Sequence, residues 1–233
     1  MLSPKTNTDI KAGYNEAYKL VKMHYENFPV VSFLLPEKIR KDVAIVYWFA
    51  RTADDFADEG YFEDSARITK LNAFEDSLKN LLNYEPGNYF EAALKNTIIS
   101  KNLSQVNFFN LLKAFKQDVT KNRYSTFNEV LDYCSCSANP VGRIMLELSN
   151  IRDEKAFYFS DKICTALQLT NFIQDTEIDF NKGRIYYPQD EMAKFGVNEK
   201  MFELSKNNLN LKMLIEFSVG RIQSLFNEGK GLL

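Results

Sequence analysis

From Gly87 the chain runs to Pro140 without another glycine or proline, and from Gly142 it runs to Gly183 in the same way. Sheets of short strands need frequent turns, and Gly and Pro are the residues that supply them. Stretches this long without either fold most readily as helices. Within them apolar residues recur at three- and four-residue intervals, as in Phe108, Leu111, Leu112 and Phe115, the period of an amphipathic helix and not of a strand. The chain is therefore expected to be all-α. The periodicity predicts helices over about 8–24, 37–57, 64–82, 88–101, 104–120, 126–150, 153–179 and 207–228, with an irregular stretch between Pro29 and Pro36, a kink at Asn139-Pro-Val-Gly142 and a loop from Gly183 to Pro188.

With 233 residues, 45% of them hydrophobic and 14% aromatic, a sizeable core is within reach. No repeat, linker or low-complexity tract divides the chain, so one domain over 1–233 is expected. A net charge of −2 argues against a nucleic-acid partner, which would require a basic excess. Met1 to Ala12 shows no basic start followed by an apolar region, and the longest apolar run, Val43 to Ala50, is too short to span a bilayer. A cytoplasmic location is expected, with peripheral membrane contact left open. Cys134, Cys136 and Cys164 are odd in number and lack paired C-x-x-C spacing, so they read as reduced, mostly core thiols.

Two segments of otherwise core-like helix carry the same Asp-x-x-x-Asp spacing, Asp54/Asp58 and Asp175/Asp179. An i, i+4 pair stacks on one helix face and its like charges repel. In the first segment Tyr47, Arg51, Asp54 and Asp58 fall within an arc of roughly 60°, and in the second Gln168, Asn171, Asp175 and Asp179 within roughly 80°, with Arg184 close behind. Solvated faces with intrahelical ion pairs are the ordinary explanation for one such stripe. Two stripes, each led by polar partners and embedded in apolar sequence, point to a site.

Mg²⁺ is the expected occupant, because it takes oxygen ligands and is commonly held by one or two carboxylates together with the substrate's phosphates. Such a site binds a diphosphate, with Arg51 and Arg184 taking phosphate oxygens directly. Diphosphate departure leaves a carbocation, which needs a dry pocket with π faces; Tyr47, Tyr124 and Tyr133 are the candidates singled out from the aromatic set. Asp118, Arg123 and Tyr124 form a further polar cluster just beyond a helix, suited to capping or to ligand contact. His24 is the one histidine, and its ordinary pKa near 6.5 suits a phosphate contact as well as a helix end.

The motifs Tyr47-x-x-x-Arg51-x-x-Asp54-Asp55-x-x-Asp58 and Gln168-Leu-Thr-Asn171-Phe-Ile-Gln-Asp175-Thr-Glu-Ile-Asp179-x-x-x-Gly183-Arg184-Ile-Tyr186-Tyr187-Pro188 resemble those of the squalene/phytoene synthase family. The resemblance runs from about His24 to the end. It implies a helical isoprenoid-synthase bundle around a central cavity, with the two acidic motifs facing each other and binding Mg²⁺ and diphosphate. It also implies a further helix or two beyond Leu233. Glu26-Asn-Phe-Pro-Val30, Ser32-x-Leu-Leu-Pro36 and Tyr133-Cys-x-x-Ser-Ala-x-Pro-Val-Gly-Arg143 are most similar to the bacterial hydroxysqualene synthase branch called HpnC.

The function this resemblance implies is ionisation of presqualene diphosphate with capture of the cation by water, giving hydroxysqualene for squalene synthesis alongside companion enzymes. Asp54, Asp58, Asp175 and Asp179 would be the metal ligands, His24, Arg51, Arg184 and Gln168 the diphosphate contacts, and Tyr47, Tyr133 and Asn171 the lining of the reacting centre. Two alternatives are expected to differ in product or in kind. One is head-to-head condensation of two farnesyl or geranylgeranyl diphosphates to squalene, dehydrosqualene or phytoene. The other is a non-catalytic prenyl-lipid-binding subunit. Where condensing members carry Ser-Lys-Ser-Phe, this chain has Tyr25-Glu26-Asn27-Phe28, which lacks the lysine and favours the first reading.

Overall fold

The structure, a computed structural model, describes residues 7–23, 35–58, 60, 62–203 and 208–232. Its elements are α1 (Asn7–Met23), α2 (Glu37–Asp58), α3 (Asp64–Leu81), α4 (Tyr89–Ser100), α5 (Gln105–Thr120), α6 (Phe127–Ser137), α7 (Asn139–Leu148), α8 (Glu154–Gln174), α9 (Thr176–Asn181), α10 (Gln189–Lys194), α11 (Lys200–Glu203) and α12 (Leu209–Gly229), closed by a 3₁₀ turn at Lys230–Leu232. No strand occurs among the described residues, and the fold is all-α as expected. The chain groups into two compact units, Met1–Val119 with Ile144–Ile151, and Thr120–Arg143 with Arg152–Leu233, the boundary falling inside α7.

In the first unit α2 packs against α1, α3 and α4. Its core stripe is Ile45, Phe49, Ala53 and Ala57, spaced by four and between 0% and 3% exposed. The Phe49 ring meets Phe108 of α5 edge-on at 5.2 Å and Phe74 of α3 at 5.1 Å; burying such a side chain contributes roughly 2–3 kcal/mol. Gly13 allows α1 to lie against α4, since a Cβ there would stand 2.1 Å from the Tyr89 carbonyl oxygen. Beneath this contact Asp42 is fully buried and accepts from the Thr97 hydroxyl at 2.9 Å, with Lys101 Nζ at 3.4 Å from its second oxygen. The N-terminus of α5 is capped from a distance in sequence: Glu147, 7% exposed, accepts from the Ser104 amide at 3.0 Å.

In the second unit α8 packs against α12 and α6. Gly142 makes close approach possible there, because a Cβ on it would lie 2.4 Å from Ser160 Oγ and 2.5 Å from Cys164 Sγ. Two expected helices prove to be divided. The stretch 126–150 breaks at Ala138, the C-cap of α6, because Pro140 has no amide for the preceding turn. The stretch 153–179 breaks at Asp175, which is the C-cap of α8 and the N-cap of α9. There the Thr176 hydroxyl donates back to the carbonyls of Phe172 and Ile173, both at 2.9 Å, and such back-bonding bends a helix. α10 and α11 are further short helices after the 183–188 loop. Both are shorter than the window over which periodicity can be read.

Candidate active site

The sequence-derived site residues divide between the two units: Tyr47, Arg51, Asp54 and Asp58 lie in the first, and Tyr133, Gln168, Asn171, Asp175, Asp179 and Arg184 in the second. His24 lies outside the described residues.

The first set follows from the stripe that α2 buries. With Ile45, Phe49, Ala53 and Ala57 turned to the core, Tyr47, Arg51, Asp54 and Asp58 come out on the opposite face, roughly 150° away. Arg51 Nη1 lies 3.3 Å from Asp54 Oδ2, and its Nε lies 2.7 Å from Asp55 Oδ1. The ordinary explanation, intrahelical ion pairing, thus holds for Arg51 itself. Asp55, which the motif spacing does not single out, is its nearer partner. Half-buried Tyr47 has its phenol pushed above the usual value by burial; Arg51 opposes that shift and the Asp54 and Asp55 carboxylates add to it. Asp58 ends the helix, and Arg67 of α3 secures that end by donating to the carbonyls of Ala57, Gly60 and Phe62. A guanidinium bonded to terminal carbonyls also complements the helix dipole.

The second set is built on one run of backbone bonds. The Asp175 amide donates to the Asn171 carbonyl, the Asp179 amide to the Asp175 carbonyl and the Arg184 amide to the Asp179 carbonyl, each at 2.8 Å. The helical one-turn spacing of the two aspartates therefore survives the break at Asp175. Gly183 makes the last bond possible. At φ +79° it stands just past the end of α9, its amide bonded to the Phe180 carbonyl, and the pair of bonds is a Schellman turn. Asp179 and Arg184 line one recess of about 10 Å³ together with Phe172, Tyr186 and Thr176. Asn171 and Asp175 are exposed, while Gln168, Asp179 and Arg184 are half-buried.

Beside that recess lies an aromatic cluster. Phe172 and Tyr186 stack at 3.7 Å with 7° between their planes. Tyr133 and Tyr124 complete it, at 5.8 and 5.6 Å from the Tyr186 ring. Tyr124 and Tyr133 are among the candidates expected from the sequence. Phe172 and Tyr186 are not, although both stand inside the second motif, next to Asn171 and two residues after Arg184. A second cavity of about 30 Å³ adjoins Phe172 and Tyr186 and reaches Glu191 of α10 and Arg221 of α12, which form an ion pair.

Among the described residues no three Asp, Glu, His or Cys side chains converge as a self-sufficient metal cage. Each motif instead offers two carboxylates one turn apart. That donor set fits Mg²⁺, which keeps waters and completes its octahedron with substrate phosphate, and it does not fit a structural zinc site.

Comparison with known proteins gives the family. The squalene/phytoene synthase family matches residues 21–233, and the chain belongs to it. It is 34% identical over 209 residues to hydroxysqualene synthase from Zymomonas mobilis subsp. mobilis, covering 88% of this chain and 69% of the relative. To hydroxysqualene synthase from Rhodopseudomonas palustris it is 32% identical, over 89% of this chain and 70% of that protein. Among solved structures, squalene synthase HpnC from Alicyclobacillus acidocaldarius superposes with a TM-score of 0.89 at 34% identity, covering 97% of this chain and 84% of that one. The protein is thus a squalene/phytoene synthase-type enzyme of isoprenoid biosynthesis. No described helix is long and apolar enough to cross a membrane.

Proposed function

We propose that the protein ionises presqualene diphosphate and releases hydroxysqualene. The observation that carries this reading is the run of backbone bonds from Asn171 through Asp175 and Asp179 to Arg184, which keeps the two aspartates one turn apart and brings Asp179 and Arg184 to the recess lined by Phe172 and Tyr186. The chain's similarity to two hydroxysqualene synthases supports the choice of substrate.

In the proposed reaction the carbon–oxygen bond to diphosphate breaks and the leaving group takes the electron pair. The cation rearranges with breaking of a cyclopropane carbon–carbon bond, and water adds to the ring-opened cation and loses a proton. Asp54 with Asp58, and Asp175 with Asp179, would hold Mg²⁺. When bound, the ion supplies charge that makes diphosphate a better leaving group. Arg184 and Arg51 add fixed positive charge toward the phosphate oxygens, Arg51 keeping its orientation through Asp55. The rings of Phe172, Tyr186 and Tyr133 present π faces to the cation and keep bulk water away from it. Asn171 and Gln168, on the same side of α8 as Asp175, would hydrogen-bond the diphosphate or the captured water.

The test is product analysis. The protein is incubated with Mg²⁺ and either presqualene diphosphate or farnesyl diphosphate, without reductant, and the extract is examined by gas chromatography with mass detection. Hydroxysqualene from presqualene diphosphate alone is expected. Consumption of farnesyl diphosphate would replace this reading with head-to-head condensation. Asp54→Ala and Asp175→Ala should each abolish turnover while far-UV circular dichroism stays nearly unchanged; full activity in either would remove the metal assignment.

A further inference from the structure

We infer that Arg123, locked to Glu199, is a positioning residue that sets Arg184 for the diphosphate; this rests on the reading of Arg184 given above. Arg123 stands between α5 and α6. Its Nε and Nη2 donate to the two carboxylate oxygens of Glu199 at 2.7 and 2.9 Å, and its Nη1 donates to the Asn122 carbonyl at 2.8 Å and to the Gly183 carbonyl. Four hydrogen bonds inside the protein thus occupy a side chain with five donors, and its charge is matched by a carboxylate. Arg123 is a support and not itself a phosphate ligand.

What it supports is the residue after Gly183. The Ile185 amide donates to the Asn122 carbonyl at 3.0 Å, and the Gln189 and Asp190 amides donate to the carbonyls of Tyr124 and Ser125 at 2.9 and 3.2 Å. Arg184 is therefore held on both sides by the 122–125 segment, through Gly183 to the Arg123 side chain and through Ile185 to the Asn122 backbone. Its own amide is tied to Asp179. An arginine has the planar fork this arrangement needs, whereas lysine, a single ammonium on a flexible stem, cannot grip Glu199 and Gly183 together. Without the clamp the Gly183 carbonyl loses its cationic partner and the turn presenting Arg184 loosens.

The experiment is calorimetric titration of inorganic diphosphate, with Mg²⁺ present, into the full chain and into Arg123→Ala, Arg184→Ala, the double variant and Glu199→Gln. Arg123→Ala and Glu199→Gln should each weaken binding roughly 10-fold, within the range that small misplacement of a binding group produces. In steady-state assays of the same variants the loss should fall on KM more than on kcat. The double variant should bind no more weakly than Arg184→Ala alone, because a residue acting through Arg184 has nothing further to remove. A double variant whose loss is the product of the two single losses overturns the inference, and so does unchanged binding in Arg123→Ala where Arg184→Ala is impaired. Unchanged binding in Arg184→Ala would instead overturn the reading of Arg184 and take the inference with it. If Arg123→Ala fails to fold, Arg123→Lys and Glu199→Gln complete the cycle with the same expectations.

Discussion

The amide of Arg184 donates to the carbonyl oxygen of Asp179 at 2.8 Å, so the arginine and the second aspartate of its motif are two ends of one turn. That turn depends on Gly183, whose φ of +79° disfavours any residue with a side chain, although a Cβ there would meet nothing within 4 Å. Gly183→Ala therefore adds backbone strain without a clash. It should cost roughly 1–2 kcal/mol in urea unfolding and weaken diphosphate binding as well. Wild-type behaviour in both measurements would separate the turn from the site.

On α2 the 2.7 Å contact from Arg51 Nε to Asp55 gives Asp55 an indirect part in substrate binding. Both side chains are partly exposed, at 21% and 39%, so Asp55→Ala should change stability by only about 0.5 kcal/mol. KM should rise several-fold nonetheless, because Arg51 loses its shorter contact, the one to Asp55, while the longer one to Asp54 remains. A melting temperature that falls while KM holds would assign Asp55 a purely structural part.

What could be read in the sequence, and what could not, follows from how local each cause is. The α2 stripe was legible because Ile45, Phe49, Ala53 and Ala57 repeat at helical spacing, and that repeat alone dictates which face carries Arg51, Asp54 and Asp58. The division between α6 and α7 was legible as a kink for the same local reason, since Asn139 directly precedes Pro140.

The break at Asp175 was not legible, since threonine is common inside helices and only the geometry shows the Thr176 hydroxyl turned back on the preceding carbonyls. Arg123 and Glu199 are 76 residues apart, and no spacing rule connects them. Phe172 and Tyr186 sat in plain view inside the motif. Their pairing depends on the loop that folds back after α9, which periodicity cannot place.

The Phe172–Tyr186 stack makes a prediction about both stability and product. Phe172 is 8% exposed, and Phe172→Ala should lower unfolding free energy by about 3–5 kcal/mol. Phe172→Leu retains most of the volume and should cost much less, yet it removes the π face from beside the recess. If the rings shield the cation, this variant should stay folded and release more early-quenched alcohols, read by gas chromatography. An unchanged product profile at unchanged turnover would reduce the cluster to core packing.

Cys134 of α6 is fully buried, and burial pushes its thiol from an ordinary 9.0 up to about 12. Because the folded value lies above the unfolded one, the fold favours the neutral thiol. Its contribution to stability is whole below pH 9 and is lost as pH rises toward 12. The buried phenols of Tyr14 and Tyr187, also shifted upward by burial, act in the same direction over the alkaline range. Urea midpoints should therefore fall steadily from pH 9 upward, and the fall should be shallower in Cys134→Ala, whose midpoint at pH 7 is lower because of the atom removed. Iodoacetamide at about pH 8 should leave Cys134 unlabelled in the native protein and label it on denaturation, since alkylation requires the thiolate. Rapid native labelling, or an identical alkaline slope in the variant, would contradict the burial that α6 and its neighbours impose.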